Sequence, residues 1–146
     1  MFESQSQKGN GPRGPAPPTS IKGVLLIEGQ VVLVQNSRNE WELPGGRVED
    51  GEDHAETLAR ELSEELSITV RISALIDSYL FEVIPGRRVF IVTYGCTLLG
   101  EFRPVISDEH TQHCLWPVDR LSELKLPAGY RHSIEAWAKG LGGSDG

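Results

Sequence analysis

Between Gly46 and Ile68 the chain reads GRVEDGEDHAETLARELSEELSI, and this stretch limits the fold more than any other. Asp53, followed three residues later by Glu56, is a helix-opening capping pair. Ala55, Leu58, Ala59, Leu62 and Leu66 then recur at helical spacing and predict one apolar face. Glu61, Glu64 and Glu65 predict a second stripe, roughly 120° around the helix at about 100° per residue. One face must pack on a sheet while the other borders an open site. Like charges three or four residues apart cost a helix roughly a few tenths of a kcal/mol each. A hard cation, Mg²⁺ or Mn²⁺, prefers oxygen ligands and would offset that repulsion. From spacing alone, a solvated acidic face explains the stripe equally well.

The wider pattern separates these readings. Gly46, five residues, Glu52, seven residues and then Arg60-Glu61-Leu62-Ser63-Glu64-Glu65 resembles the signature of the Nudix hydrolases. Trp41-Glu42-Leu43-Pro44-Gly45-Gly46, just ahead of it, is also similar to that family. The resemblance implies a Nudix-type α/β/α sandwich with a mixed β-sheet. It implies hydrolysis of a diphosphate linkage in a nucleoside diphosphate joined to a group X, with water as nucleophile. Nucleoside triphosphates, nucleotide sugars and dinucleoside polyphosphates are all substrates of that form. The implied cofactor is Mg²⁺, with Mn²⁺ as a substitute. Glu61, Glu64 and Glu65 would be metal ligands, with the Gly46 carbonyl as a further one. Arg60 would orient Glu52 through a forked pair of hydrogen bonds, and Glu109 would act as general base or additional ligand. A non-catalytic, nucleotide-binding module with a regulatory role is the alternative, and retention of all three glutamates argues against it. One position departs: Ser67 stands where the family usually has a glycine to end the helix in a left-handed conformation.

Around this segment the chain reads as one domain over 20–141, with Gly- and Pro-rich tails at 1–19 and 142–146. Ile21–Ile27 and Val31–Gln35 predict a hairpin through Glu28-Gly29-Gln30. Val70–Leu75, Ser78–Ile84, Val89–Leu98 and Gln112–Pro117 predict further strands, with a turn at Pro85-Gly86-Arg87. Asp119–Leu124 reads as a helical turn and Tyr130–Leu141 as a helix burying Ile134 and Trp137.

Other residues have plainer readings. Trp41, Tyr79, Phe81, Tyr94, Tyr130 and Arg131 read first as packing residues, although an aromatic among them could stack a base. Arg87 and Arg88 read as solvated hairpin charges, and Asp108 and His110 as weaker neighbours of Glu109. Cys96 and Cys114 predict reduced packing thiols. No apolar run reaches the roughly 18 residues of a membrane span, and no signal-like apolar segment opens the chain. The expected setting is cytoplasmic. A net charge of −7 argues against a broad nucleic-acid surface but not against a small nucleotide held through metal. The sequence leaves a homodimer open.

Overall fold

The computed structural model describes residues 16–105 and 112–145, with side chains through Gly140. Strand β1 (Thr19–Ile27) turns into β2 (Gln30–Gln35), and Ile27 pairs with Gln30. Glu28 (φ 51°) and Gly29 (φ 80°) both sit in the left-handed region, which matches the twist of a two-residue hairpin. Two short strands follow, β3 (Trp41–Glu42) on β2 and β4 (Gly45–Arg47) antiparallel to β1. Helix α1 spans His54–Leu66. Strands β5 (Thr69–Ile84) and β6 (Arg87–Leu99) form a long hairpin, and β7 (Gln112–Pro117) pairs with β2. A 3₁₀ segment, Val118–Glu123, leads to helix α2, Ala128–Asp145.

The strands run in the order β3-β2-β1-β6-β5, with β4 added on β1 and β7 on β2. β1 and β6 are parallel and the other pairings are antiparallel, so the sheet is mixed as expected. Alternation along β1 sends Ile21 and Leu25 to the α1 side, where they meet Leu58, Leu62 and Leu66. Val24 faces the other way with Leu33, Ile91, Tyr130 and Ile134 under α2. Each fully buried leucine contributes about 2 kcal/mol of apolar transfer. The result is the α/β/α sandwich expected from the sequence.

Three local differences stand out, and two have a clear physical cause. Residues 69–84 form one strand rather than two, because register shifts at Ile72/Ala74 and Leu75/Asp77 absorb the break in alternation. Helix α2 is longer at both ends than Tyr130–Leu141, the range its apolar pattern marks. On α1, Ala55 and Ala59 are exposed, whereas Thr57 and Glu65 are buried with Leu58, Leu62 and Leu66. Alanine has little apolar surface to hide, so the three leucines set the rotation of the helix. That rotation carries Glu65 inward.

The capping pair forms as expected. The Glu56 N–H donates to Asp53 at 2.8 Å, and the Asp53 N–H donates to Glu56 at 2.9 Å. At the other end Ser67 takes φ 58° and ψ 38°, the left-handed geometry that glycine adopts without penalty. Ser67→Gly is therefore expected to stabilise the fold by about 1 kcal/mol, raising the melting temperature by roughly 2–4 °C. Thermal unfolding monitored by circular dichroism checks this; an unchanged or lower midpoint would count against strain at Ser67.

Candidate functional site

The site forms where β4 crosses the middle of α1. Gly45 has φ 148°, and any Cβ there would overlap the Ile21 carbonyl. A Cβ on Gly46 would overlap the Glu61 carboxylate. Two successive glycines thus let the strand backbone lie directly against the helix's carboxylates. The Gly45 N–H donates to Glu65 Oε1 at 3.3 Å, and Glu65 is 3% exposed. Burial pushes the Glu65 carboxyl up to about 8; Lys22 pulls against that rise and Glu61 adds to it. A second carboxylate facing a buried one is an arrangement that a hard divalent cation relieves.

The three glutamates divide. Glu61 and Glu65, one turn apart, both turn toward β4, with Glu61's side chain 15% exposed. Glu64's side chain is 61% exposed and is held by Arg60 at 3.1 Å. Among the described residues, no three His, Cys, Asp or Glu side chains converge as a ligand set. The oxygen ligands facing β4 are the two carboxylates, hard donors that fit Mg²⁺ or Mn²⁺ better than a softer metal. Glu109, Asp108 and His110 lie outside the described residues.

Arg60 organises the entrance. Its Nε donates to Glu52 Oε2 at 2.6 Å and its Nη2 to Glu52 Oε1 at 3.1 Å, the fork expected for this pair. Its Nη1 reaches Glu61 and Glu64, each at 3.1 Å, and Nη2 reaches Glu49 at 3.6 Å. Thr57 Oγ1 also donates to Glu52, at 2.9 Å. The loop before the helix is thereby tied to the helix face that carries the glutamates.

On the α2 side of the sheet lies a cavity of about 610 Å³, bordered by Trp41, Glu42, Phe81, Lys125, Leu126 and Tyr130. This volume falls within the ordinary range of small-ligand sites, about 300–1,000 Å³. Trp41 and Phe81 also pack on the α2-side core, so each is at once a packing residue and a pocket wall. Lys22 stands at the junction and went unremarked in the sequence, although a lysine within the apolar run of β1 was a readable signal. It is 7% exposed, its Nζ is 4.0 Å from Glu42, and it lies 6.0 Å from the centre of the Tyr130 ring. Burial opposes its charge, but Tyr130, Glu42, Glu65 and Glu61 together hold its pKa above the usual lysine value.

The remaining candidates lie elsewhere. Tyr94 bonds His54 at 2.9 Å at the start of α1. Arg87 and Arg88 border a shallow recess with Ala16, Pro17, Pro18 and Gly86. Tyr79 packs in the α2-side core against Gly129. Cys96 and Cys114 are free thiols, as expected. No helix among the described residues is long and apolar enough to cross a membrane.

Comparison with known proteins gives one consistent result. The NUDIX domain family matches residues 18–137. A MutT-like protein of Streptomyces ambofaciens is 35% identical over 125 residues, covering 84% of this chain and 77% of that protein. The CTP pyrophosphohydrolase of Escherichia coli is 26% identical over 115 residues, covering 74% of this chain and 82% of that enzyme. The crystal structure of a MutT protein from Methanosarcina mazei superposes with a TM-score of 0.74 at 23% identity, covering 88% of this chain and 97% of that one. The chain spans little more than half the length of several other curated relatives it matches.

The Arg60 fork makes a testable acid-side prediction. Its hydrogen bonds hold the Glu52 carboxyl down at about 2, whereas an unfolded glutamate titrates near 4.3. The stabilisation is therefore complete above about pH 4.3 and is lost as pH falls through about 2. Glu52→Gln should be less stable than wild type at pH 7, with the gap narrowing between pH 5 and pH 2. Urea unfolding at stepped pH measures it, and a gap independent of pH would show that the fork contributes no charge stabilisation.

Proposed function

The chain belongs to the Nudix family, and from that premise we propose that it is a Mg²⁺-dependent hydrolase. Its substrate is a nucleoside diphosphate joined to a further group X, and water attacks the diphosphate linkage. The observation that carries this reading is the Glu61–Glu65 pair set against Gly45–Gly46. The CTP pyrophosphohydrolase among its relatives supports a nucleotide substrate.

In this reading Glu61 and Glu65, with the Gly46 carbonyl, would hold the cation, and Glu64 would join them on release from Arg60. A Mg²⁺ held by these residues would supply charge withdrawal from the phosphoryl oxygens and a lowered pKa for the attacking water. Arg60 keeps Glu61 and Glu52 in register so that the carboxylates are fixed before substrate arrives. Trp41 and Phe81 offer apolar faces to the nucleoside, and Glu42 offers it an acceptor. Glu109, from the segment between β6 and β7, serves as the base that takes the proton of the attacking water or as a further ligand. No covalent intermediate with the chain is needed.

A panel of nucleoside triphosphates, nucleotide sugars and dinucleoside polyphosphates tests this with Mg²⁺, Mn²⁺ or EDTA and a phosphate-release readout. At least one substrate class should turn over with metal and not with EDTA. Glu65→Gln should lower kcat by more than about 100-fold, beyond the usual cost of losing a group that merely supports a ligand, while unfolding stays cooperative. Full activity in that variant would refute the metal assignment. A folded wild type that binds nucleotides without turning any over would instead be a binding module.

A further inference from the structure

Lys22 is the buried charge that the hydrolytic reading leaves without a task. Lysine is almost never fully buried unless paired, yet this side chain is 9% exposed and, among the described residues, its carboxylate within ion-pair range, Glu42, stands at 4.0 Å. That is beyond the roughly 2.7–2.9 Å of a direct charged hydrogen bond. The Tyr130 ring is centred 6.0 Å from it. An ammonium has three donors, more than these two described neighbours engage.

Its position is more telling than its burial. Lys22 pairs with Gly45 across β1 and β4, and the Gly45 N–H is the donor to Glu65. On its other side, Glu42 and Tyr130 both border the cavity. Lys22 therefore stands at the seam between the carboxylate pair and the pocket. A nucleoside seated against Trp41, with its diphosphate directed toward Glu61 and Glu65, must bring its first phosphoryl group across this seam. Arg60 does not serve that passage, because it is engaged with Glu49, Glu52, Glu61 and Glu64. Lys125 also borders the pocket, but from the segment before α2 and next to Leu126, Pro127 and Tyr130.

We propose that Lys22 binds the nucleoside-proximal phosphoryl group of the substrate, donating a charged hydrogen bond at the seam between the pocket and the carboxylate pair. Glu42 and Tyr130 hold the ammonium there beforehand, and the phosphoryl oxygen becomes its closest acceptor. The residue thus sets how far a nucleotide enters and which anhydride bond reaches the carboxylates. This inference rests on the nucleotide-hydrolase reading above.

Nucleoside monophosphates are suitable probes, since they carry the proximal phosphoryl group and have no anhydride bond to cleave. Calorimetric titration would compare AMP, GMP, CMP and UMP with their nucleosides on wild type and Lys22→Met, with Mg²⁺ and again with EDTA. For the preferred base, Lys22→Met should weaken monophosphate binding about 10- to 100-fold in both conditions and leave nucleoside binding unchanged. Equal losses for nucleoside and monophosphate would mean a purely structural role, and an unchanged monophosphate affinity would also overturn the proposal. Wild-type protein that binds none of the monophosphates would overturn the nucleotide reading itself, and Lys22's task with it. A second measurement does not need a neutral variant to fold. The chain has four lysines, Lys8, Lys22, Lys125 and Lys139, so the ¹³Cε resonance of Lys22 can be assigned with Lys22→Arg. It should shift on adding the monophosphate and stay in place with the nucleoside; identical responses to the two would again overturn the proposal.

Discussion

The site's architecture depends on the guanidinium of Arg60. It touches Glu49 and Glu52 from the loop and Glu61 and Glu64 from its own helix, and its Nη2 also donates to the Arg47 carbonyl at 3.4 Å. Isolated surface ion pairs contribute little. This network differs because one planar group holds four carboxylates, with the forked Glu52 contact setting its plane. A lysine could not replace it, since a point charge on a flexible stem lacks the fixed fork. Without Arg60, Glu61 and Glu64 would repel each other on the helix and the 47–53 loop would lose its anchor. The cation needed to assemble an anionic site is therefore built into the chain before any metal arrives.

Close approach is the second requirement, and glycine meets it. At Gly45 the backbone passes so near β1 that no side chain fits, and at Gly46 the Glu61 carboxylate fills the space a Cβ would take. Chain direction is managed at the far end of the helix. Ser67 turns the backbone left-handed, its N–H bonds the Ser63 carbonyl at 2.9 Å, and Ile68 is delivered into the core at 3% exposure. A serine performs the reversal that glycine would perform with less strain. The sequence departure at this position thus changes the cost of the helix end and not its course.

Much of this was legible in the sequence, for reasons that differ by residue. The capping box, the Glu28-Gly29 turn and β7 follow from local chemistry and came out at the positions expected. The Arg60–Glu52 fork was implied by family resemblance, which encodes a contact eight residues apart in the chain. The exposure of Ala55 and Ala59 was not legible, because a helical wheel scores alanine as apolar without weighing how little area it hides. The unbroken β5 was not legible either, since bulges are settled by pairing with β6. Lys22 was missed for a related reason. Its importance comes from β4, Glu42 and Tyr130 closing around it, and no local pattern in β1 announces those neighbours.

Treating Glu61, Glu64 and Glu65 as one stripe hides a division of labour. Residues 61 and 65 are one helical turn apart and share a direction; residue 64 is displaced by about 100° from 65. The fold uses that offset, burying Glu65 on β4 and leaving Glu64 outward on Arg60. On the proposed reading, two ligands are rigid and the third exchanges a guanidinium for a metal. On the same reading these charges govern substrate entry. Glu42 stands 4.0 Å from Lys22, and the charges of Glu65 and Glu61 also act on it, so a diphosphate approaching without a cation meets more negative than positive charge. Cation and diphosphate then lower each other's cost of entry, and by thermodynamic linkage each must tighten the binding of the other by the same factor. On the proposed reading an acidic chain can in this way accept an acidic substrate, with Lys22 guiding the phosphoryl group nearest the nucleoside and the metal neutralising the bond to be broken.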